Sequence, residues 1–413
     1  MPKWILPLVV VLTTSLLPAE ESHGRPHPPA LVSPAVFPIF GMFYAPSDPV
    51  LLKGMREAGF NIAGFAAVED VQRIRAAGLF CYVMDKRASG YNWKALPSDE
   101  VIRKNLLSLA SQVGSDPTVL GFFLSDEPDA AEIPGIAHLE TILHEIMPKK
   151  IGYVNILPSV VTPAEHGASS YEAYVRMIPE VLHQPFISYD NYSLIEGHMR
   201  DQFYTNLEII RRVSLSTKTP FWNCILANAH FNYMEPSDAT LHLQVYSTLA
   251  YGGRGLEFFT YLAYPEANFR LSAIDQFGDR TPTWSMVQRI NYELNALAPV
   301  LATLRSTGVY HSPDVPEGGQ PLSQSRLVKA VEVTQQNIVS QTTTAHFLVG
   351  EFEDVHGRAY LMVVNKSLTE SFAFDVKLAQ GAKLHCVSPY SGREETNNVD
   401  WLAPGAGRLC RVD

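Results

Sequence analysis

The sequence predicts an α/β protein: a (β/α)8 TIM barrel followed by a small C-terminal all-β sandwich domain. Short apolar segments, each followed by a helical pattern, recur about eight times over roughly 250 residues, the size and rhythm of such a barrel. Helical periodicity stops after about residue 305, and the later segments are apolar or alternating and separated by turn residues. The chain has 413 residues, more than one ordinary core of about 100–150 residues contains, so a second domain is expected.

The first residues have the pattern of a secretory signal peptide. Lys3 supplies a positive charge, residues 4–17 carry no charge, and residues 17–19 (Leu-Pro-Ala) offer a cleavage site before Glu20. The apolar run is shorter than the ~20 residues that a membrane span needs. We therefore predict a signal peptide over residues 1–19 and a Pro-, His- and Ser-rich linker over residues 20–36. The mature protein is predicted to be secreted or periplasmic, without a membrane span.

The predicted barrel occupies residues 37–304. Strands between helices are buried on both faces, which explains why they are nearly continuous apolar runs. The eight strands are predicted over residues 38–44, 60–66, 79–84, 119–124, 151–156, 186–190, 221–226 and 255–260. Helices are predicted over residues 49–58, 69–77, 98–113, 135–147, 170–182, 202–214, 237–251 and 284–304. A doubly wound open sheet is the alternative, and the absence of a Gly-rich phosphate turn after the first strand weighs against it.

Residues 305–413 form the predicted β-sandwich, with strands over residues 346–352, 359–364 and 371–376. Cys386 and Cys410 both lie in this domain. An exported protein permits a disulfide between them, and the sequence leaves open whether it forms. Cys81 and Cys224 fall inside apolar strands, where we predict plain core residues. The absence of a C-x-x-C pair argues against a structural zinc site.

The net charge of the chain argues against one class of partner, the nucleic acids. The formal net charge is -10, from 32 Lys and Arg against 42 Asp and Glu. A chain with this balance and no basic stripe has no electrostatic attraction for a phosphate backbone, so nucleic acid is not expected as a partner. No sequence motif indicates a cofactor or a metal, and we predict neither.

Active sites of this fold lie at the C-terminal ends of the strands. Several carboxylates facing one barrel mouth are costly unless they perform chemistry or pair with cations. The polar and aromatic residues predicted to bind substrate at these ends are Tyr44, Asp85, Asp126, Asn155, Tyr192, Asn223 and Tyr261. His230 is interpreted as a structural histidine, and Glu266 as a solvated loop residue.

The most informative motif is at the end of the fourth strand. There an apolar run meets Asp126 and Glu127, and Pro128 forces the chain out of the strand. Glu127 is therefore predicted to be held at the barrel rim. The alternative is that both acids serve the following helix, because negative charge is favourable near a helix N-terminus.

Two segments resemble a known group of enzymes. Residues 121–128 (Gly-Phe-Phe-Leu-Ser-Asp-Glu-Pro) resemble the fourth-strand signature of glycoside hydrolase clan A, in which an acid/base Glu precedes Pro. Residues 249–261 resemble the eighth strand of β-galactosidase-like members of that clan and of related uncharacterised secreted bacterial proteins. The resemblance covers roughly residues 37 to 390 in layout. It implies a glycosidase that cleaves O-glycosidic bonds of a poly- or oligosaccharide, with Glu127 as general acid/base.

The second catalytic carboxylate is less directly indicated. The clan normally supplies its nucleophile at the end of the seventh strand, but residues 221–228 contain no acid. Glu257 ranks first as a substitute, because an acid between Leu256 and Phe258 in a barrel strand is costly unless it is used or paired. Asp190, at the end of the sixth strand, is the other candidate.

Two further hypotheses remain open at this point. One is a non-catalytic carbohydrate-binding barrel, which the missing acid of the seventh strand favours. The other is a metal-dependent hydrolase that uses Asp85, Asp126, Glu127 and Asp190, although the lack of clustered histidines argues against zinc. The identity of the sugar and its linkage, endo or exo action, and the oligomeric state stay open.

Overall fold

A computed structural model describes residues 37–335, 345–395 and 401–413 of the protein. The predicted signal peptide and linker, residues 1–36, lie outside the described residues. The strands of the first part of the chain are β1 (Ile39–Phe40), β2 (Ile62–Ala66), β3 (Phe80–Val83), β4 (Val119–Asp126), β5 (Ile151–Ile156), β6 (Ile187–Asp190), β7 (Leu194–Ile195), β8 (His198–Met199), β9 (Phe221–Leu226) and β10 (Gly255–Phe259). Eight of them close into a parallel barrel in the order β1-β10-β9-β6-β5-β4-β3-β2, and β7 and β8 form a separate two-stranded sheet. The predicted barrel is confirmed.

Helices connect the barrel strands. They are α1 (Pro49–Glu57), α2 (Val71–Ala76), α3 (Lys86–Ser89), α4 (Asp99–Leu109), α5 (Ile133–Ile146), α6 (Pro163–His166), α7 (Tyr171–Met177), α8 (Gln202–Thr217), α9 (Asp238–Ala250) and α10 (Pro282–Leu301). The short helices α3 and α6 were not predicted. The predicted helix over residues 170–182 is α7 followed by a π-helical turn, Ile178–Leu182, where Pro179 cannot donate a helical hydrogen bond. Within the described residues, no helix combines the length and the apolar character needed to cross a membrane.

The barrel interior is filled by aromatic side chains. Phe40 packs edge-on against Phe65 and Tyr153, and Trp222 stacks on Phe186 with ring centroids 3.8 Å apart. This interior cluster is distinct from the larger apolar layer between strands and helices. The interior is therefore a packed core and not a pore, as is general for barrels of this size.

Two antiparallel sheets follow the barrel, which confirms the predicted β domain. A six-stranded sheet has the order β11-β13-β14-β19-β16-β17, and a three-stranded sheet has the order β12-β15-β18. A common apolar core lies between them, with Val349 and Leu361 from the first sheet and Phe372 and Val376 from the second. The strands are β11 (Arg305–Ser312), β12 (Val328–Gln335), β13 (Phe347–Glu353), β14 (Ala359–Asn365), β15 (Phe372–Leu378), β16 (Leu384–Val387), β17 (Glu394–Glu395), β18 (Trp401–Leu402) and β19 (Gly407–Val412).

The larger sheet packs against α9 at very short range. A Cβ atom on Gly350 would lie 2.3 Å from the Ala250 carbonyl oxygen, and one on Gly407 would lie 2.3 Å from the Tyr246 ring. Only glycine permits such an approach. The sheet therefore covers a barrel helix that is buried along most of its length.

The C-terminal cysteines form a disulfide. Cys386 and Cys410 occupy paired positions of β16 and β19 and are joined to each other, which answers the question that the sequence left open. Cys81 and Cys224 are free and buried, as predicted.

Candidate active site

A cavity of about 580 Å³ opens among residues that follow the C-terminal ends of the barrel strands, where active sites of this fold lie. It brings together six of the predicted site residues: Tyr44, Asp126, Glu127, Asn155, Asp190 and Tyr192. The remaining lining residues are Met42, Phe43, His230, Phe259, Tyr264, Pro265, Glu266 and Phe269. Acids and aromatic rings thus share one concave surface.

The backbone of Glu127 is held at both ends. Its φ of +49° lies in the left-handed region, a conformation that costs a non-glycine residue of order 1–3 kcal/mol. The Glu127 backbone N–H donates to the Asn155 carbonyl oxygen at 2.8 Å, and the Tyr174 hydroxyl donates to the Pro128 carbonyl oxygen at 2.5 Å. These bonds fix the turn that carries Glu127 into the cavity.

The helix-capping alternative for Glu127 finds no support in its position. α5 begins at Ile133, its N-cap is Glu132, and its first turn contains no acid. Among the described residues, none forms a hydrogen bond or an ion pair with the Glu127 carboxylate. The side chain is therefore available to a ligand in the cavity.

Three carboxylates in the cavity, those of Asp126, Glu127 and Asp190, have raised pKa values. Glu127 keeps exposed surface, but the cavity walls remove part of its hydration, and this desolvation, followed by the charge of Asp126, raises the pKa of Glu127 to about 7. Burial also raises the pKa of Asp190 well above its usual range, and the charges of Glu127 and Asp126 add to this effect. Burial raises the pKa of Asp126 as well, against the hydrogen bond from Asn155. At neutral pH the cluster therefore retains protons, so that one cavity can hold a proton donor beside a proton acceptor.

Asn155 donates hydrogen bonds to two of these acids. Its Nδ2 donates to Asp190 Oδ1 at 2.7 Å and to Asp126 Oδ1 at 3.3 Å. Asn155 is 2% exposed, and its Oδ1 accepts from the Ser188 hydroxyl at 2.9 Å. The amide is thus oriented with its NH₂ group toward the carboxylates.

Glu257 lies beneath the cavity and does not line it. It is fully buried, the Tyr153 hydroxyl donates to its Oε2 at 2.8 Å, and Ser188 Oγ lies 3.1 Å from both of its oxygens. Burial raises the pKa of Glu257 to about 8, so at neutral pH the protonated carboxyl can donate a hydrogen bond to Ser188 Oγ while the Ser188 hydroxyl donates to Asn155 Oδ1. A nucleophile must reach the substrate, and this position corrects the ranking of Glu257 ahead of Asp190.

Three predicted ligands lie away from the cavity. Asp85 accepts hydrogen bonds from the backbone and guanidinium of Arg87, which hold its pKa below the usual range. Asn223 Nδ2 donates to the Thr248 hydroxyl of α9 at 2.7 Å, so this side chain faces the outer helices. Tyr261 is 2% exposed. Its hydroxyl donates to the carbonyl oxygen of residue 51, in α1. None of the three borders the cavity, and their prediction as substrate ligands is corrected accordingly.

His230 is a cavity residue that sequence reasoning interpreted as structural. Its Nδ1 lies 2.8 Å from Asn228 Oδ1, and its ring stacks on Phe269 with centroids 4.5 Å apart. Burial, assisted by the charge of Arg270, lowers the pKa of His230 to about 4. The imidazole is therefore neutral; Nδ1–H donates to Asn228, and Nε2 remains a hydrogen-bond acceptor.

An aromatic wall, made of Phe43, Tyr44, Phe259, Tyr264 and Phe269, borders the same cavity. Neighbouring rings pack mostly edge to face, with the centroids of Tyr44 and Tyr264 6.1 Å apart and those of Tyr264 and Phe269 5.0 Å apart. Tyr44 is 54% exposed. Tyr264, Phe269 and Glu266 belong to a loop without strand or helix periodicity, so their only sequence signal was their place after the eighth barrel strand.

The arrangement gives no support to the metal-dependent hydrolase. That hypothesis required Asp85 beside the other acids, but Asp85 pairs with Arg87 elsewhere. Across the described part of the chain, no group of three or more His, Cys, Asp or Glu residues is arranged to hold a metal ion.

Comparisons with known proteins identify similar folds. No protein-family model and no curated protein sequence matches this chain. A glycoside hydrolase family 5 protein from Bacteroides vulgatus is 10% identical over 91% of this chain and 88% of its own, with a TM-score of 0.56. A protein described as a glycoside hydrolase is 10% identical over 91% and 92% of the two chains, with a TM-score of 0.55. Similarity at this identity shows a shared barrel fold.

A β-galactosidase from the psychrophilic Marinomonas ef1 is also similar in part. It is 10% identical over 66% of this chain, with a TM-score of 0.48. The present chain covers 62% of the length of that enzyme.

Proposed function

We propose that this protein is a secreted glycosidase that hydrolyses O-glycosidic bonds of a poly- or oligosaccharide. Glu127 is the general acid, and Asp190 is the second catalytic carboxylate. The observation that carries the proposal is the cavity itself, in which Glu127, with a fixed backbone and a raised pKa, faces the same space as Asp190 and an aromatic wall. Solved structures of similar fold that are described as glycoside hydrolases support it.

The chemistry requires one protonated and one ionised carboxylate. The protonated acid, Glu127, gives its proton to the glycosidic oxygen as the bond to the anomeric carbon breaks. Ionised Asp190 either attacks that carbon or removes a proton from the attacking water. Repulsion between the two carboxylates keeps one of them protonated while the other is ionised. Burial and the nearby acids raise the pKa of Asp190, so its ionised form depends on the 2.7 Å hydrogen bond from Asn155 and on Glu127 holding the proton.

The remaining lining residues suit a sugar. The exposed face of Tyr44 and the rings of the aromatic wall offer apolar surface to the carbon side of a pyranose. Asp126 and the neutral His230 offer hydrogen-bonding groups for its hydroxyls. The Tyr192 ring lines the cavity, while its hydroxyl lies 3.4 Å from Cys224 Sγ in the barrel interior. A few convergent polar groups within an apolar lining are typical of small-molecule sites.

Export is the second part of the proposal. The N-terminal residues have a signal-peptide pattern, and the Cys386–Cys410 disulfide suits an oxidising compartment.

The test is release of new reducing ends from a panel of oligo- and polysaccharides, with Glu127→Gln as the comparison variant. A binding barrel without activity is the second candidate, favoured by the absence of a carboxylate from β9, the seventh barrel strand. Saturable binding of an oligosaccharide, with no reducing ends released by the wild type, would support that candidate and reject the glycosidase.

The pH profile of kcat/KM should fall above about pH 7, because Glu127 must be protonated and its pKa is raised to about 7. Asp126→Asn removes a negative charge that raises this pKa. The basic limb should therefore move to lower pH, by up to about one unit. Asp99→Asn is the control, because Asp99 is a half-exposed helix residue paired with His138. A basic limb that stays in place in Asp126→Asn would contradict this electrostatic role.

The activity of Glu257→Gln distinguishes two possible roles of Glu257, that of a buried positioning residue and that of the nucleophile. Glutamine preserves the shape, can donate to Ser188 and can accept from Tyr153, so activity should stay within about tenfold of the wild type. Glu257→Leu leaves the buried Tyr153 hydroxyl without this acceptor and should lower the free energy of unfolding by about 1–3 kcal/mol. Steady-state kinetics and urea unfolding measure both effects. A loss of about 10⁴-fold in Glu257→Gln would return the nucleophile role to Glu257.

A further inference from the structure

A second cavity, of about 250 Å³, lies at the opposite end of the barrel. It is bordered by the start of β9, by Arg254 just before β10, by the end of α8 and by the connection from α10 to β11. Four of its lining residues are cationic: Arg211, Lys218, Arg254 and Arg305. None of the described residues that line it is a carboxylate. This basic cavity belongs to a chain whose formal net charge is -10.

Two of the four cations have carboxylate partners nearby. Arg211 pairs with Glu208 at 3.3 Å, and Arg305 pairs with Glu353 at 3.1 Å. Within the described residues, neither Arg254 nor Lys218 has a carboxylate within ion-pair distance. The cavity therefore carries positive charge that the surrounding protein does not neutralise.

Arg254 is a charged residue of this cavity that has no carboxylate partner among the described residues. Burial lowers its pKa to about 10, which leaves the guanidinium charged at neutral pH. One nitrogen donates to the Leu301 carbonyl oxygen at the end of α10, a favourable position for a cation near a helix C-terminus. Its other guanidinium nitrogens have no partner among the described residues. Arg254 is partly buried and its unpartnered nitrogens keep exposed surface. A partly buried charge without a counter-ion is costly, so this site favours an anion.

The neighbouring groups leave further donors available. Arg211 is 8% exposed, its Nε donates to the Ser306 hydroxyl at 2.9 Å, and its Nη1 faces Glu208. Its Nη2 has no hydrogen-bond partner among the described residues. Two arginines and Lys218 thus line one small cavity, an arrangement suited to oxyanions because guanidinium donors match their geometry.

We propose that this basic cavity binds a tetrahedral oxyanion, phosphate or sulfate, either free or as the terminal group of a small ester. Its volume of about 250 Å³ is below the ~300–1,000 Å³ typical of pockets for drug-sized ligands, which restricts the ligand to this size. The site lies at the other end of the barrel from the acidic cavity, so it goes beyond the proposed glycosidase activity. An occupant would connect α8 and Arg254 with the segment that leads into the β domain, and should raise the melting temperature.

The experiment is titration calorimetry on the full-length protein, with sodium phosphate and sodium sulfate compared with sodium chloride at equal ionic strength. Glucose 6-phosphate and glucose 6-sulfate, each compared with glucose, distinguish an ester group from the free anion. Arg254→Gln and Lys218→Asn should weaken binding roughly 10- to 100-fold, the range expected for losing a hydrogen bond to a charged group. Arg289→Gln is the control. Arg289 pairs with Asp238 at an exposed site, and the variant changes the net charge equally.

Several outcomes decide the proposal. Saturable binding of phosphate, sulfate or either ester that weakens in both cavity variants and not in the control supports it. Lys218 is exposed and has a φ of +57°, which asparagine tolerates, so Lys218→Asn remains informative if Arg254→Gln does not fold. Equal responses to phosphate, sulfate and chloride, with no binding of the esters, would overturn the proposal. Equal affinity in Lys218→Asn and in the control would also overturn it.

Discussion

Glu127→Gln is expected to lower kcat on the natural substrate roughly 10²–10⁴-fold, while binding stays near that of the wild type. Glutamine keeps the shape of the side chain and removes the proton that the leaving oxygen requires. The backbone of residue 127 should be unaffected, because its position depends on the main-chain bond to Asn155 and on Pro128. The measurement is steady-state kinetics together with the affinity for an unhydrolysed oligosaccharide.

The dependence on the leaving group makes this prediction specific. An activated aryl glycoside needs little protonation, so its first step should suffer much less than cleavage of the natural substrate. Glu132→Gln is the matched control, because Glu132 stands at the start of α5 and does not line the cavity. Unchanged hydrolysis of the natural substrate by Glu127→Gln would remove Glu127 from the mechanism.

Asp190→Asn is expected to lower kcat by a similar factor, roughly 10²–10⁴-fold, but on natural and activated substrates alike. The second carboxylate acts on the anomeric carbon or on water, so its loss cannot be offset by a better leaving group. Asparagine retains an oxygen that can accept from Asn155 Nδ2, and the fold should therefore be preserved. Kinetics on both substrate types, with the melting temperature as a check of folding, measure this effect.

A variant with a smaller side chain at position 190 provides a second test of the catalytic role of Asp190. Asp190→Ala leaves space in the cavity wall, and added azide or formate should restore part of the activity on an activated glycoside by replacing the missing carboxylate. Asn223→Ala is the comparison variant, because Asn223 is buried and faces Thr248 of α9, away from the cavity. Full activity of both Asp190 variants would contradict the proposed mechanism and leave Glu127 without its partner.

Local signals in the sequence were sufficient for the barrel and for its most informative residue. The alternation of apolar runs and helical patterns predicted eight strands, and all eight occur. Glu127 was placed at the rim because an apolar run, two acids and Pro128 follow one another directly along the chain. Residues 346–376 likewise showed strand patterns that match β13, β14 and β15 closely. Each of these features depends on neighbours along the chain.

The residues near each strand end along the chain did not show which side chains share the cavity. Trp222 and Cys224 belong to the barrel interior, so Asn223 between them points to α9, and a shift of one residue would have reversed this. Glu257 does face the interior, yet it lies below the cavity. The height of a residue in a barrel depends on the tilt and stagger of every strand, which no single segment encodes.

The sequence by itself therefore determined the fold class, the β domain and the position of Glu127 at a strand end, because periodicity and turn residues act over short distances. Only the tertiary structure decided that Asp190 rather than Glu257 shares the cavity with Glu127, and that His230, Tyr264 and Phe269 line it. It also decided that Cys386 pairs with Cys410 and that four cationic residues line one cavity at the other end of the barrel. The residues in each of these contacts are distant along the chain. Strand stagger and loop packing determine how close together they lie in space.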